Sequence, residues 1–143
     1  MMIRSENIKT QVEVNSWEAA IYEAGTLLAR ANSCTSEYVE AMIGAVKELG
    51  PYIVLTPHVA LAHARPGAMV KKNDISLVTL KEPVKFYHEA NDPVKLVFAF
   101  CAEDNDGHLE QLVQLSNCLS EESTVKALAN AKTSQEVLNV LNQ

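Results

Sequence analysis

The spacing of hydrophobic positions changes period along the chain, and each change marks a different kind of element. Residues 6–14 alternate weakly, with Ile8, Val12 and Val14 apolar, a pattern that suits an edge strand. From Trp17 the period lengthens, and Trp17, Ala20, Ile21, Ala24, Leu27, Leu28 and Ala31 fall on one helical stripe. Asn15 or Ser16 can cap this helix, and Glu18 in its first turn suits the positive end of the helix dipole. A second helix is predicted from about Ser36, with Val39, Met42, Ile43, Val46 and Leu49 facing inward. Gly50-Pro51 ends it.

The middle of the chain reads as strands. Ile53–Leu55, Val59–His63, Ile75–Leu80 and Val94–Cys101 are short, rich in Val, Ile, Leu and Phe, and separated by Pro, Gly, Asn and Asp. Val94–Cys101 is apolar on both faces apart from Lys95, as expected of a central strand covered by helices on each side. Helical spacing returns at Leu109, Leu112, Val113 and Leu119. Two shorter helices close the chain. One starts near Ser120, and the other follows a capping box, Thr133 with Glu136, before Val137, Leu138 and Leu141. With no internal repeat or linker, residues 1–143 read as a single domain. The expected fold is α/β (α+β), a three-layer sandwich with a mixed β-sheet flanked by helices on both faces.

Composition narrows the partners. The chain is 48% hydrophobic and 21% charged, the balance of an ordinary globular protein, and its net charge is -6. Nucleic acid and anionic membrane both attract basic surfaces, so neither is expected as a main partner. No apolar run is long enough to span a bilayer, and MMIRSENIKT lacks the apolar stretch of a signal peptide, so a cytoplasmic protein without membrane insertion is expected. Cys34, Cys101 and Cys118 are widely spaced with no CxxC pair, and read as small buried hydrophobes in a reducing compartment.

Candidate chemistry centres on four histidines, His58, His63, His88 and His108. If residues 59–65 are extended, Val59, Leu61, His63 and Arg65 share one face, and Ala60, Ala62 and Ala64 share the other. An imidazole beside a guanidinium at a strand end suits phosphate, which arginine binds through parallel hydrogen bonds; a surface His-Arg pair in a turn is the alternative. His108 stands at a predicted helix start after the central strand, where unpaired N–H groups attract anions, and Gly107 would let another group approach the backbone closely. Its alternative is an exposed first-turn residue. His58 precedes His63 by five residues, an odd separation that puts the two on opposite faces of a continuous strand. His88 reads as a loop histidine pairing locally with Glu89 or Asp92. The GxxxxGK, GxGxxG, HExxH and GxSxG patterns are absent, so phosphate would have to arrive on another protein rather than from ATP.

G-P-Y-I-V-L-T-P at 50–57, A-H-A-R-P at 62–66, V-K-K at 70–72 and L-V-T-L-K-E-P at 77–83 resemble a known family, as do F-Y-H-E-A-N-D-P-V at 86–94 and the D-G-H-L-E helix start. It is the EIIA components of the phosphoenolpyruvate-dependent sugar phosphotransferase system (PTS), mannitol/fructose class, and the ascorbate-specific branch is the most similar. The resemblance implies that His63 is phosphorylated by the carrier HPr, that His108 supports the phosphoryl group, and that His63 then donates to a separate EIIB protein serving a membrane EIIC. In the ascorbate branch the EIIB acceptor is a cysteine. No metal or cofactor is implied. Two departures matter. Ala62 stands where the family commonly has proline, while Pro57-His58 supplies a Pro-His pair, making His58 the alternative acceptor. The mannitol type carries an arginine near the end of its second helix, where this chain has Lys47, and Arg65 is inferred to fill that electrostatic role. Two other functions stay open: a regulatory module of the same fold, and a metal hydrolase using His58, His63 and His108 with Asp104 or Asp106.

Overall fold

The computed structural model describes residues 3–142. A single 3-10 turn at Ser5–Asn7 leads into β1 (Ile8–Val12), followed by helices α1 (Trp17–Arg30) and α2 (Ser36–Leu49). Strands β2 (Val59–Ala62), β3 (Asp74–Val84) and β4 (Val94–Cys101) come next, and α3 (Asn105–Cys118), α4 (Glu122–Asn130) and α5 (Ser134–Leu141) complete the fold. The sheet order is β1-β3-β4-β2. β1 runs parallel to β3, β3 antiparallel to β4, and β2 parallel to β4, so the sheet is mixed as expected.

Strand periodicity divides the core in two. Ala60, Ala62, Val78, Val97 and Ala99 face one way and pack with Ala24, Leu28, Val39 and Met42 of α1 and α2. Val59, Leu61, Leu77, Leu96, Phe98 and Phe100 face the other way, with Leu115, Leu128 and Val137 of the last three helices. β4 is buried on both faces because both layers lie on it. Each fully buried Leu or Phe there contributes about 1.5–3 kcal/mol. Caps set the helix starts: Ser16 Oγ accepts from Ala19 N–H, and Thr133 Oγ1 from Glu136 N–H. The Glu136 carboxylate closes back on Lys132 N–H, one residue beyond the N-cap amide of the standard capping box.

Three expectations are corrected. Ile53–Leu55 is not a strand; it is a turn whose Ile53 and Val54 are buried while Leu55 is exposed. Among the described residues its one backbone hydrogen bond to the sheet runs from Leu61 N–H to the Ile53 carbonyl (2.9 Å), so apolar burial mimicked a strand signal without a ladder. α3 turns only part of its expected stripe inward: Leu112 packs on the core and Leu119 is buried, but Leu109 and Val113 are exposed at 62% and 50%, while Gln111 and Leu115 are buried. Gln111 holds the inner position by donating from Nε2 to the carbonyls of Asp74 (3.2 Å) and Cys101 (3.0 Å). Leu49, expected inside, is 67% exposed in the last turn of α2.

Candidate functional site

β2 and β4 run parallel and end together, and α3 starts directly after β4, so the carboxyl ends of both strands meet a helix N-terminus. The ladder reaches its last pair at Ala62 and Ala99. His63 therefore lies one step beyond β2 rather than within it. Its side chain keeps the parity of Leu61, and its imidazole stacks on the ring of Phe100, the next residue along β4 (centroids 4.9 Å, planes 24° apart).

The edge position of β2 sets the imidazole's orientation. Leu96 N–H donates to the His58 carbonyl (3.1 Å), which fixes the ladder phase so that residues 58, 60 and 62 face β4 and Leu61 faces outward. The outward Leu61 carbonyl is free to accept from His63 Nδ1–H, at 2.8 Å. A carbonyl can only accept, so Nδ1 carries the proton and Nε2 keeps its lone pair. Burial lowers the His63 pKa below the ordinary 6.5; the Leu61 bond opposes this, and His108 adds to the depression. The imidazole is thus neutral and nucleophilic at neutral pH.

Two further rings complete the surroundings. His108, in the first turn of α3, approaches His63 at 5.2 Å between centroids, and Tyr52 meets it edge-on at 5.8 Å. Burial also lowers the His108 pKa. Its Nδ1 is buried and has no hydrogen-bond partner among the described residues, so a proton on Nε2 avoids an unpaired buried N–H. A cleft of about 600 Å³ opens over His63, with His108, Arg65, Tyr52, Glu48 and Asn105 among its walls. Arg65 is exposed and makes no ion pair or side-chain hydrogen bond among the described residues. Lys47 is exposed and outside the cleft wall, where the neighbouring Glu48 and Leu49 stand instead.

The α3 N-terminus is partly capped by the chain itself. Asp104 Oδ1 accepts from Gly107 N–H (2.8 Å), and Asn73 Oδ1 accepts from Glu103 N–H (2.8 Å). The group that Gly107 admits is the Asn73 side chain, whose Nδ2 would lie 2.5 Å from a Cβ there.

His58 and His88 lie at the opposite end of β2 from His63, with the strand's four residues, about 13 Å at ~3.3 Å per residue, in between. His58 has φ +72° and donates from Nδ1 to the Pro93 carbonyl (2.7 Å). His88 Nδ1 accepts from the N–H groups of Ala90 and Asn91, rather than pairing with Glu89 or Asp92. Asp92 instead caps the N–H groups of Phe86 and Tyr87. A His58–His63–His108 ligand set is therefore not assembled, which overturns the metal-hydrolase alternative. Among the described residues no three His, Cys, Asp or Glu side chains are grouped to hold a metal ion.

The sequence profile of the phosphoenolpyruvate-dependent sugar phosphotransferase system, EIIA 2, matches residues 1–143. The chain belongs to this family. The ascorbate-specific PTS system EIIA component of Salmonella typhimurium is 36% identical, covering 99% of this chain and 93% of that protein. The mannitol enzyme IIA of Escherichia coli, solved in complex with phosphorylated enzyme IIB, superposes with a TM-score of 0.88 at 29% identity, covering 99% of this chain and 97% of that one. The nitrogen regulatory protein IIA-Ntr of Neisseria meningitidis superposes with a TM-score of 0.83 at 30% identity, covering 97% and 95%. As an EIIA component, the chain is a phosphotransferase component that carries a phosphoryl group between proteins. The resemblance drawn from the sequence motifs is borne out at both levels, the EIIA class and the ascorbate-type relatives. No helix among the described residues is long and apolar enough to cross a membrane. Sequence reasoning missed Tyr52 and Phe100 as walls of the site. Phe100 was legible in principle, since strand parity sets it beside His63, whereas Tyr52 arrives through a turn.

Proposed function

We propose that this EIIA accepts a phosphoryl group from phospho-HPr on His63 Nε2 and passes it to a separate EIIB protein, in the uptake of ascorbate or a related sugar by a membrane EIIC. The observation that carries this reading is the His63 Nδ1–H bond to the Leu61 carbonyl, which leaves the Nε2 lone pair free beside the cleft. In the transfer, Nε2 attacks phosphorus in line and a new N–P bond forms. The N–P bond to the HPr imidazole breaks, and its electron pair returns to the donor nitrogen. The transition state is loose, so the protein's work is positioning and stabilising charge on the peripheral oxygens. Arg65 supplies the guanidinium cation of the cleft, and His108 supplies an Nε2–H donor. The reaction needs no cofactor, and all its carriers act in the cytoplasm. The 36% identity to ascorbate-specific components supports the sugar class.

The test is phosphosite mapping after incubation with phosphoenolpyruvate, enzyme I and HPr. His63→Ala should abolish labelling, and His58→Ala should leave it intact. Full labelling of His63→Ala would sink the assignment. His108→Ala should still accept phosphate but transfer it poorly. A regulatory role is the second reading, favoured by the likeness to a nitrogen regulatory IIA. Phosphoryl transfer from this protein to the active-site cysteine of an ascorbate-type EIIB separates the two, since a purely regulatory module would not pass it on.

A further inference from the structure

The β2–β4 ladder contains an insertion beside the site. Its phase, set by Leu96 N–H on the His58 carbonyl, advances by two residues per bond. The bond after the last pair, Ala62 with Ala99, would run from Ala64 N–H to the Phe100 carbonyl. Instead, the Tyr38 hydroxyl occupies that place. Its oxygen accepts from Ala64 N–H at 3.0 Å, and the hydroxyl lies 2.8 Å from the Phe100 carbonyl and 3.2 Å from that of Ala64. Tyr38 is fully buried in the first turn of α2, and burial raises its pKa, so it stays protonated and able to donate.

We infer that Tyr38 is a positioning residue for His63: its hydroxyl wedges the end of β2 away from β4 and holds the imidazole over the Phe100 ring. The hydroxyl grips the backbone on both sides of the reacting group. Ala64 follows His63 in the chain, and Phe100 is the residue on which its ring stacks. A direct ladder bond would draw Ala64 in by roughly the diameter of the inserted oxygen, about 2.5–3 Å. His63 would move with it and lose its alignment with both the Leu61 carbonyl and His108. This role in transfer rests on the reading of His63 as phosphoryl acceptor. The role in orienting the ring does not.

The test is Tyr38→Phe, which keeps the ring and removes the hydroxyl. Nitrogen-15 NMR of the imidazoles should show His63 losing its Nδ1–H tautomer preference, with its pKa moving back towards 6.5. The rate constant for transfer from phospho-HPr should fall about tenfold with KM unchanged, as for a misplaced but accessible nucleophile. A merely structural tyrosine would lower the melting temperature while leaving the His63 tautomer and the transfer rate of the folded protein untouched, and that result would overturn the inference. Should Tyr38→Phe fail to fold, amide exchange in the unaltered protein decides. Ala64 N–H should exchange as slowly as the ladder amides of Ala60 and Ala62, and fast exchange would reject the wedge. Labelling of the unaltered protein at a residue other than His63 would refute the proposed acceptor without touching the NMR result.

Discussion

At the scale of single residues, the site depends on what each polar atom is left to do. His63 has one nitrogen committed to Leu61 and one free, and its depressed pKa keeps the free nitrogen unprotonated. The sign of the pH dependence follows. Because the folded pKa lies below 6.5, neutral His63, the proposed acceptor, is still the majority form at that pH and is lost through a midpoint below it. Transfer from phospho-HPr should therefore fall on acidification with a midpoint on the acid side of 6.5. A rate profile with its midpoint above 7 would contradict this. Below 6.5 an unfolded chain binds protons at positions 63 and 108 that the native state resists, so these residues also make the fold less stable on acidification. Arg65 is exposed and free of ion pairs among the described residues, so its value is realised only when an anion arrives. Arg65→Gln should leave thermal stability unchanged and slow transfer about tenfold, which corresponds to ~1.4 kcal/mol. Stopped-flow or quench kinetics beside a melting curve would check both halves.

At the scale of elements, α3 is aimed rather than merely attached. Asp104 caps its first turn, and Asn73 closes over Gly107 while holding Glu103, so the helix leaves β4 at a fixed angle with His108 towards His63. Gly107→Ala would put a methyl group 2.5 Å from Asn73 Nδ2 and displace that side chain. A loss of ~1–3 kcal/mol in urea denaturation is expected, with a lower transfer rate than His63 labelling at equilibrium would suggest. The same helix marks where sequence was a poor guide. Its apolar stripe at Leu109, Leu112, Val113 and Leu119 predicted an inward face; Leu112 and Leu119 do meet the core, yet Leu109 and Val113 are exposed and Gln111 goes inside. Periodicity counts apolar residues and cannot see that two backbone carbonyls at the strand ends require a donor. By contrast, α1, α2, β4 and α5 were legible because their caps, stops and double-sided burial are local signals. The pairing of His63 with His108 came from the family motifs. The alternation of Val59 and Leu61 with Ala60 and Ala62 placed His63 correctly on the Leu61 face, although the strand itself stops one residue earlier. Tyr38 was illegible, since it lies 26 residues from Ala64 and 62 from Phe100 and meets them only once the layers have packed.

At the scale of the whole molecule, the end of the sheet that carries the site is also where distant segments are tied together. Asp74, first residue of β3, pairs with Cys101 in the ladder just before α3 begins. Its carboxylate accepts from Arg4 (2.9 Å), from Asn7 Nδ2 (3.0 Å) and from Ser33 Oγ. The N-terminal turn, the α1–α2 connection and the central strands therefore meet at one side chain, and Gln111 brings α3 to the same residue through its backbone carbonyl. With the Asp74 side chain only 11% exposed, removing the carboxylate strands the Ser33 hydroxyl and one N–H of the buried Asn7 amide, whose other N–H keeps the Ile75 carbonyl. Arg4 is 46% exposed and regains water, so its share of the loss is small. Asp74→Ala should cost ~2–3 kcal/mol, mostly from those stranded polar groups, and Asp74→Asn should recover part of it because the amide oxygen still accepts. Urea titration of both variants measures the difference. Equal stability of the alanine variant and the unaltered protein would mean that the layers hold the site end of the sheet by apolar packing alone.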